Sequence, residues 1–323
     1  MPICPGQDFV GRIVFVGEKI KKYNSFKIGD RVCSLHQFLG GNSKYVTLTA
    51  NQLVKVPDNV DAAEAACVVR SYLAAYQILY RTGSFEVDKT HKILVTGANG
   101  YIGRAVIELA KMARAKVYAA SNSRHRNFIR HTLGVTWVHA DPKHWTRVQD
   151  LDAVIDCVNY TGNYNDSKAQ LRRGGVLICA GSSKYVSDVI RTQRKKIQQI
   201  DCEYDSEEEA PGSDSMCGAC STVTKKDEVY NSNMLSHLPL KYGGGLQISI
   251  FVKQVSFDLF SNTESYWNGC KDDLLYLFAM LARGKIKPII AHRIILGHVP
   301  KAHKLLEAGG LQGTIVCVID KET

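Results

Sequence analysis

No stretch of the chain reaches the roughly 18 consecutive apolar residues that a bilayer-crossing helix needs, which argues against a helical membrane protein. The opening residues, MPICPGQDFVGR, lack a basic segment followed by an apolar one, so they do not read as a secretory signal. The 41 Lys and Arg residues are spread along the chain with no nucleic-acid module signature, so nucleic acid is not an expected partner. What is present is an ordinary globular composition: 323 residues, 45% hydrophobic and 22% charged, enough for about two domains. The net charge of +10 suits an anionic ligand on a basic surface. The 10 cysteines are scattered, which reads as reduced thiols and places the chain in the cytoplasm, with a mitochondrial location left open.

Two styles of sequence follow one another. Residues 9–56 read as short β-strands punctuated by turns such as Gly29-Asp30, the pattern of a small barrel-like module. DAAEAACVVRSYLAAYQILYRT, residues 61–82, then turns helical, with Asp61 as its cap and Glu64 three positions on. From HKILVTG onward strands and helices alternate. YIGRAVIELAKMARA carries helical spacing at Ile102, Val106, Leu109 and Met112/Ala113, RNFIRHTLG and SKAQLRRG read as helices, and AKVYAAS, TWVHA, LDAVIDCV and GVLICAG read as strands. Such βαβ units predict a parallel, doubly wound α/β sheet with right-handed crossovers. The alternation breaks near residue 184, where an acidic, Pro/Gly/Ser-containing stretch reads as a flexible insertion at about 185–245. Cys217-Gly-Ala-Cys220 lies within it, near Cys202 and His237. With no second CxxC it reads as reduced thiols on a loop rather than a metal site.

The chemistry concentrates at Gly97, Ala98, Asn99, Gly100, Tyr101, Ile102 and Gly103, between a strand and a helix. Glycines there permit a tight turn, a close backbone approach to a pyrophosphate and close helix packing, and the helix N-terminus offers free N–H groups to the phosphates. The tip of the second strand selects the dinucleotide. In place of the acid that holds a ribose 2′-hydroxyl stand Ser121, Ser123, Arg124 and Arg126, a set suited to a 2′-phosphate, so NADPH (NADP) is the expected cofactor. Val158 and Asn159 after one later strand, and Gly181 and Ser182 at the end of another, should line the ribose and nicotinamide by the switch-point rule. No catalytic side chain stands out. Tyr72 and Tyr76, on the helix entering the nucleotide domain, are candidates for the cleft, with core packing as the alternative role.

PGQDFVGRIVFVGEKIKKYNSFKIGDRV, SKYVTLTANQLVKVPDNVDAAEAA, ILVTGANGYIGRAVIELAKMARAKVYAAS and VPKAHKLLEAGGLQGTIV resemble, in order, successive signatures of the medium-chain dehydrogenase/reductase superfamily. Within it the chain is similar to the NADPH-dependent quinone oxidoreductases. The resemblance implies a GroES-like β-rich catalytic domain, 1–69 completed by 286–323, around a Rossmann domain at 70–285. The family pattern has a further portion of the catalytic domain before PGQDFVG, so the GroES-like domain here is expected to be incomplete. The implied reaction is hydride transfer to a quinone or an α,β-unsaturated carbonyl, a small-molecule substrate, in a protein for which a homodimer is left open. Gly6-Gln7-Asp8 stands where zinc-dependent relatives carry a His ligand, which argues for a zinc-independent branch. TGANGYIG also resembles the short-chain dehydrogenase motif, and Tyr164 and Lys168 have that family's spacing, but the β-rich residues before the motif do not fit it. A catalytically impaired nucleotide-binding scaffold is the alternative from another functional class.

Overall fold

A computed structural model describes residues 5–6, 8–21, 25–34, 40–82, 85–158, 164–182, 246–250, 255–258 and 264–319. The acidic stretch, the CxxC, Cys202, His237, Gln7 and Asn159 lie outside the described residues.

The chain begins with β1 (Val10–Arg12), the short helix α1 (Glu18–Lys21), β2 (Arg31–Ser34) and β3 (Leu53–Lys55). These strands pair antiparallel in the order β1-β2-β3, and β2 is buried along its length. Arg31 fixes the return of the chain: its guanidinium, buried with the strand, donates to the Val60 carbonyl at 2.7 Å. Helix α2 (Ala62–Cys67) follows, then a π-turn (Val68–Tyr72) and α3 (Leu73–Tyr80). Asp61 caps α2 as its sequence predicts, accepting the Glu64 N–H at 2.9 Å.

The second part of the chain runs β4 (Lys92–Thr96), α4 (Tyr101–Met112), β5 (Lys116–Ser121), β6 (Thr136–His139), β7 (Leu151–Asp156), α5 (Tyr164–Ala169) and β8 (Leu171–Ser182). β9 (Leu246–Ile250) and β10 (Val255–Asp258) come next, then the long helix α6 (Glu264–Ala282). The seven strands form one sheet in the order β10-β9-β8-β7-β4-β5-β6. The five from β8 to β6 are parallel. β9 and β10 run antiparallel, because the connection between them is too short for a crossover and can only make a hairpin.

Both faces of the sheet are covered, so β4 is apolar on both sides. Ile93 and Val95 pack with α2, α3, α4 and α6. Leu94 packs on the other side with Trp145, Val148, Leu151, Val154 and Leu177. Three local expectations shift. Met112 is 40% exposed while Ala113 takes the inward position. RNFIRHTLG follows a 3-10 turn (Ser123–His125) and contains a π-turn (Phe128–Thr132) instead of a regular helix. LRRG belongs to β8, whose pairing with β7 is irregular there; Gly174 (φ +79°) provides the bend that brings the strand back into register. The chain then forms β11 (Ile290–Ile295), α7 (Val299–Ala308) and β12 (Thr314–Val318). β11 and β12 pair in parallel against α2.

Candidate functional site at the switch point

The strand order reverses between β4 and β7, and by the switch-point rule a ligand crevice belongs beyond the carboxyl ends of these strands. Gly97 leaves β4 with φ +62°, and a Cβ there would meet the Cys157 carbonyl group at 3.0 Å. Gly100 sits at the N-cap of α4 in extended conformation and brings no capping side chain. Gly103 lets the helix settle on the turn, since a Cβ would lie 2.4 Å from the Gly97 carbonyl oxygen. The three glycines therefore serve a left-handed turn, an open N-terminus and a close packing contact. The first N–H groups of α4, which have no partner within the helix, start at this sheet edge.

At the tip of β5 the predicted residues divide. Ser123, Arg124 and Arg126 are exposed, whereas Ser121 is buried and its hydroxyl accepts the Trp137 indole N–H at 3.1 Å. The Arg126 guanidinium stacks 5.1 Å over Trp137 and lines a groove with Lys116 and Arg130, away from the glycine loop. Arg124 faces the loop side. Its Nε donates to His125 Nε2 at 3.2 Å, and its guanidinium lies against Gly309. His125 is buried, and burial together with the neighbouring Arg124 charge lowers its pKa, so the ring is neutral with its proton on Nδ1. His125 Nδ1 and Asn99 Oδ1 are buried without hydrogen-bond partners among the described residues. One free donor and one free acceptor beside an open glycine cradle fit the hydroxyl-rich and phosphate-rich surface of a dinucleotide.

β7 and β8 complete the edge. Asp156 is buried at the end of β7, accepting the Thr96 hydroxyl and, at 3.0 Å, the Val158 N–H. This fixes the turn that carries Cys157 over Gly97 and leaves Val158 45% exposed toward the crevice. Gly181 and Ser182 end β8 at the same sheet edge.

Neither candidate tyrosine reaches the crevice with a free hydroxyl. Tyr72 is buried and donates to Glu108 of α4, and burial and that carboxylate push its pKa well up. Tyr76 stacks between Tyr80 and Tyr276, 4.8 and 5.6 Å away. Both are packing residues, because the helix that carries them faces α4 and α6. Two further features escape a reading of spacing. Asp8 pairs with Arg70 of the π-turn at 2.8 Å, close enough to Tyr101 for both charges to act on it. Arg104, on a helix buried almost all round, reaches the Asn99 carbonyl and Thr314. The only local signal for it was a cation in the apolar first half of the helix.

Residues 1–58 match the alcohol dehydrogenase GroES-like domain family, and residues 93–197 match the NAD dependent epimerase/dehydratase family. The second match covers the βαβ segment that shares the TGANGYIG motif. The chain is similar to the chloroplast envelope quinone oxidoreductase homolog of Arabidopsis thaliana, 37% identical over 49% of this chain and 50% of that protein. The solved quinone oxidoreductase of Coxiella burnetii has the same fold, with TM-score 0.65 and 18% identity, covering 99% of this chain and 80% of that one. The solved CurK enoyl reductase has TM-score 0.64 and 17% identity, covering 98% and 80%. The chain spans about half the length of the Arabidopsis relative. A Rossmann sheet beside a segment that matches the alcohol dehydrogenase GroES-like domain family gives the chain the fold of these solved reductases. In sequence it is similar to quinone oxidoreductase homologues.

Proposed function

We propose that the chain is an NADPH-dependent oxidoreductase of the quinone oxidoreductase or enone reductase type. The observation that carries this reading is the glycine cradle at the switch point, with an acid-free strand tip and Arg124 beside it. The N–H groups at the start of α4 would hold the pyrophosphate, Ser123 and Arg124 the 2′-phosphate, and Val158, Asn159, Gly181 and Ser182 the ribose and nicotinamide side. NADPH, when bound, supplies a hydride for a quinone or an α,β-unsaturated carbonyl. The chain's own work is orientation and shielding. Gly97 and Asp156 keep the β4 and β7 turns together, and the Asp8–Arg70 pair braces the N-terminal segment against the π-turn. Domains at 1–69 with 286–323 and at 70–285 are the division this reading uses.

The test is dye-coupled NADPH oxidation by the full chain against a panel of quinones and enones. Turnover supports the reading. NADPH binding without turnover on any acceptor would replace it with a nucleotide-binding scaffold, a reading favoured by the engagement of both Tyr72 and Tyr76 in packing.

A further inference from the structure

Arg104 carries a charge where the helix has little water to solvate it. It is 8% exposed, and no carboxylate among the described residues lies within ion-pair distance. A buried cation without a counter-charge is costly, and an apolar side chain of similar volume would be cheaper to fold. Its hydrogen bonds indicate what it does. Nη1 donates to the Asn99 carbonyl in the glycine loop at 2.7 Å, and Nη2 donates to Thr314 Oγ1 at the start of β12 at 3.1 Å. The same stretch touches the loop once more, where Asn99 Nδ2 donates to the Leu311 carbonyl at 3.0 Å, and it touches the β5 tip, where Gly309 lies against Arg124. Residues 309–314 thus rest on the glycine loop, on α4 and on the β5 tip together.

We propose that Arg104 is a positioning residue for the dinucleotide, tying the glycine loop to β12 so that the N–H groups at the start of α4 are already aimed at a pyrophosphate. The role rests on the NADPH reading above and extends it. The guanidinium lies within about one helical turn of the α4 N-terminus, so its unneutralised charge also adds to the anion-attracting field there. The C-terminal strand and the cofactor loop become one unit, and a pyrophosphate that orders the loop also orders residues 309–314.

The experiment compares calorimetric binding of NADPH, which has a pyrophosphate, with adenosine 2′-monophosphate, which has none, to the full chain and to Arg104→Met. The variant should bind NADPH about tenfold more weakly and the monophosphate within about twofold of wild type. Arg104→Lys, which keeps the charge on a single prong, should recover part of the loss. Thr314→Val removes the β12 contact of Arg104, together with the Thr314 hydrogen bond to Cys67, and leaves Arg104 in place. It should weaken NADPH and abolish the protection that NADPH confers on residues 309–314 in hydrogen exchange, which keeps the test open if Arg104→Met does not fold. Wild-type affinity for NADPH in Arg104→Met, or equal losses for both ligands, would overturn the role while leaving the cofactor reading intact. A wild-type chain that binds neither ligand would bring down the cofactor reading and this role with it.

Discussion

Gly97 lies so close to Cys157 that a methyl group on Gly97 would touch the Cys157 carbonyl group at 3.0 Å. The β4 and β7 turns, 60 residues apart in the chain, are thereby pressed together at the point where the strand order reverses.

Gly97→Ala combines this contact with a φ of +62°, and should cost about 1–3 kcal/mol along with dinucleotide affinity. Gly103→Ala should be worse, because the obstacle is the Gly97 carbonyl oxygen at 2.4 Å, backbone that cannot swing away. Gly269→Ala is the contrast. It lies within α6 with nothing inside 4 Å, and should stabilise by about 0.5–1 kcal/mol. Urea unfolding ranks the three, and a Gly103→Ala protein as stable as wild type would refute the packing argument.

Arg124 and Arg126 are two positions apart and face different surroundings. Arg124→Glu should weaken NADPH about tenfold or more and leave NADH nearly unchanged. Arg126→Glu should do much less, since that guanidinium is spent on Trp137. Fluorescence titration with both cofactors checks this, and equal losses for NADPH and NADH in Arg124→Glu would sink the 2′-phosphate assignment.

Asp61 both caps α2 and pairs with Arg293 of β11, at 2.8 and 3.0 Å. Burial alone would raise its pKa, but the Arg293 and backbone hydrogen bonds outweigh burial and hold the carboxyl below its usual 3.8. A lowered folded value means that the ionised form stabilises the fold above 3.8, and that this contribution is lost as the pH falls through the folded value. The stability gap between wild type and Asp61→Asn should therefore be constant near neutrality and close in acid below 3.8. A gap that stays constant down to that range would disprove the linkage.

Asp273 of α6 is 4% exposed and receives Arg81 at 2.6 Å from just beyond α3. Arg81→Ala strands a buried carboxylate and should cost about 3 kcal/mol, whereas Arg81→Ala with Asp273→Asn should recover much of that. Thermal unfolding of the single and double variants decides it. A loss below about 1 kcal/mol for the single variant would mean that the pair behaves like a surface one.

What the sequence made legible was local. Asp61 before an Ala-rich run, the Gly97–Gly103 spacing after an apolar strand, and the alternation from β4 to β8 each depend on neighbours a few residues away, and each appears in the fold. The site was legible to the same depth: the cradle and the acid-free tip, but not which way each side chain turns. Ser121 faces Trp137, Arg126 stacks on the same ring, and Tyr72 and Tyr76 pack inward, because β6, α4 and α6 decide those directions. Arg104 and Thr314 are 210 residues apart, a separation that no short-range pattern encodes.

The Asp61–Arg293 pair joins positions 232 residues apart. On a ribosome adding about 5–20 residues per second, helix α2 waits on the order of ten to fifty seconds for the strand that completes it. The nucleotide-binding sheet is translated within that interval from strands that pair with near neighbours, so it can close first and offer α2 a surface to rest on. The order of synthesis thus makes the cofactor half a template for the other half, and a lesion in β11 or β12 would first appear as an aggregation-prone N-terminal segment in the newly made chain.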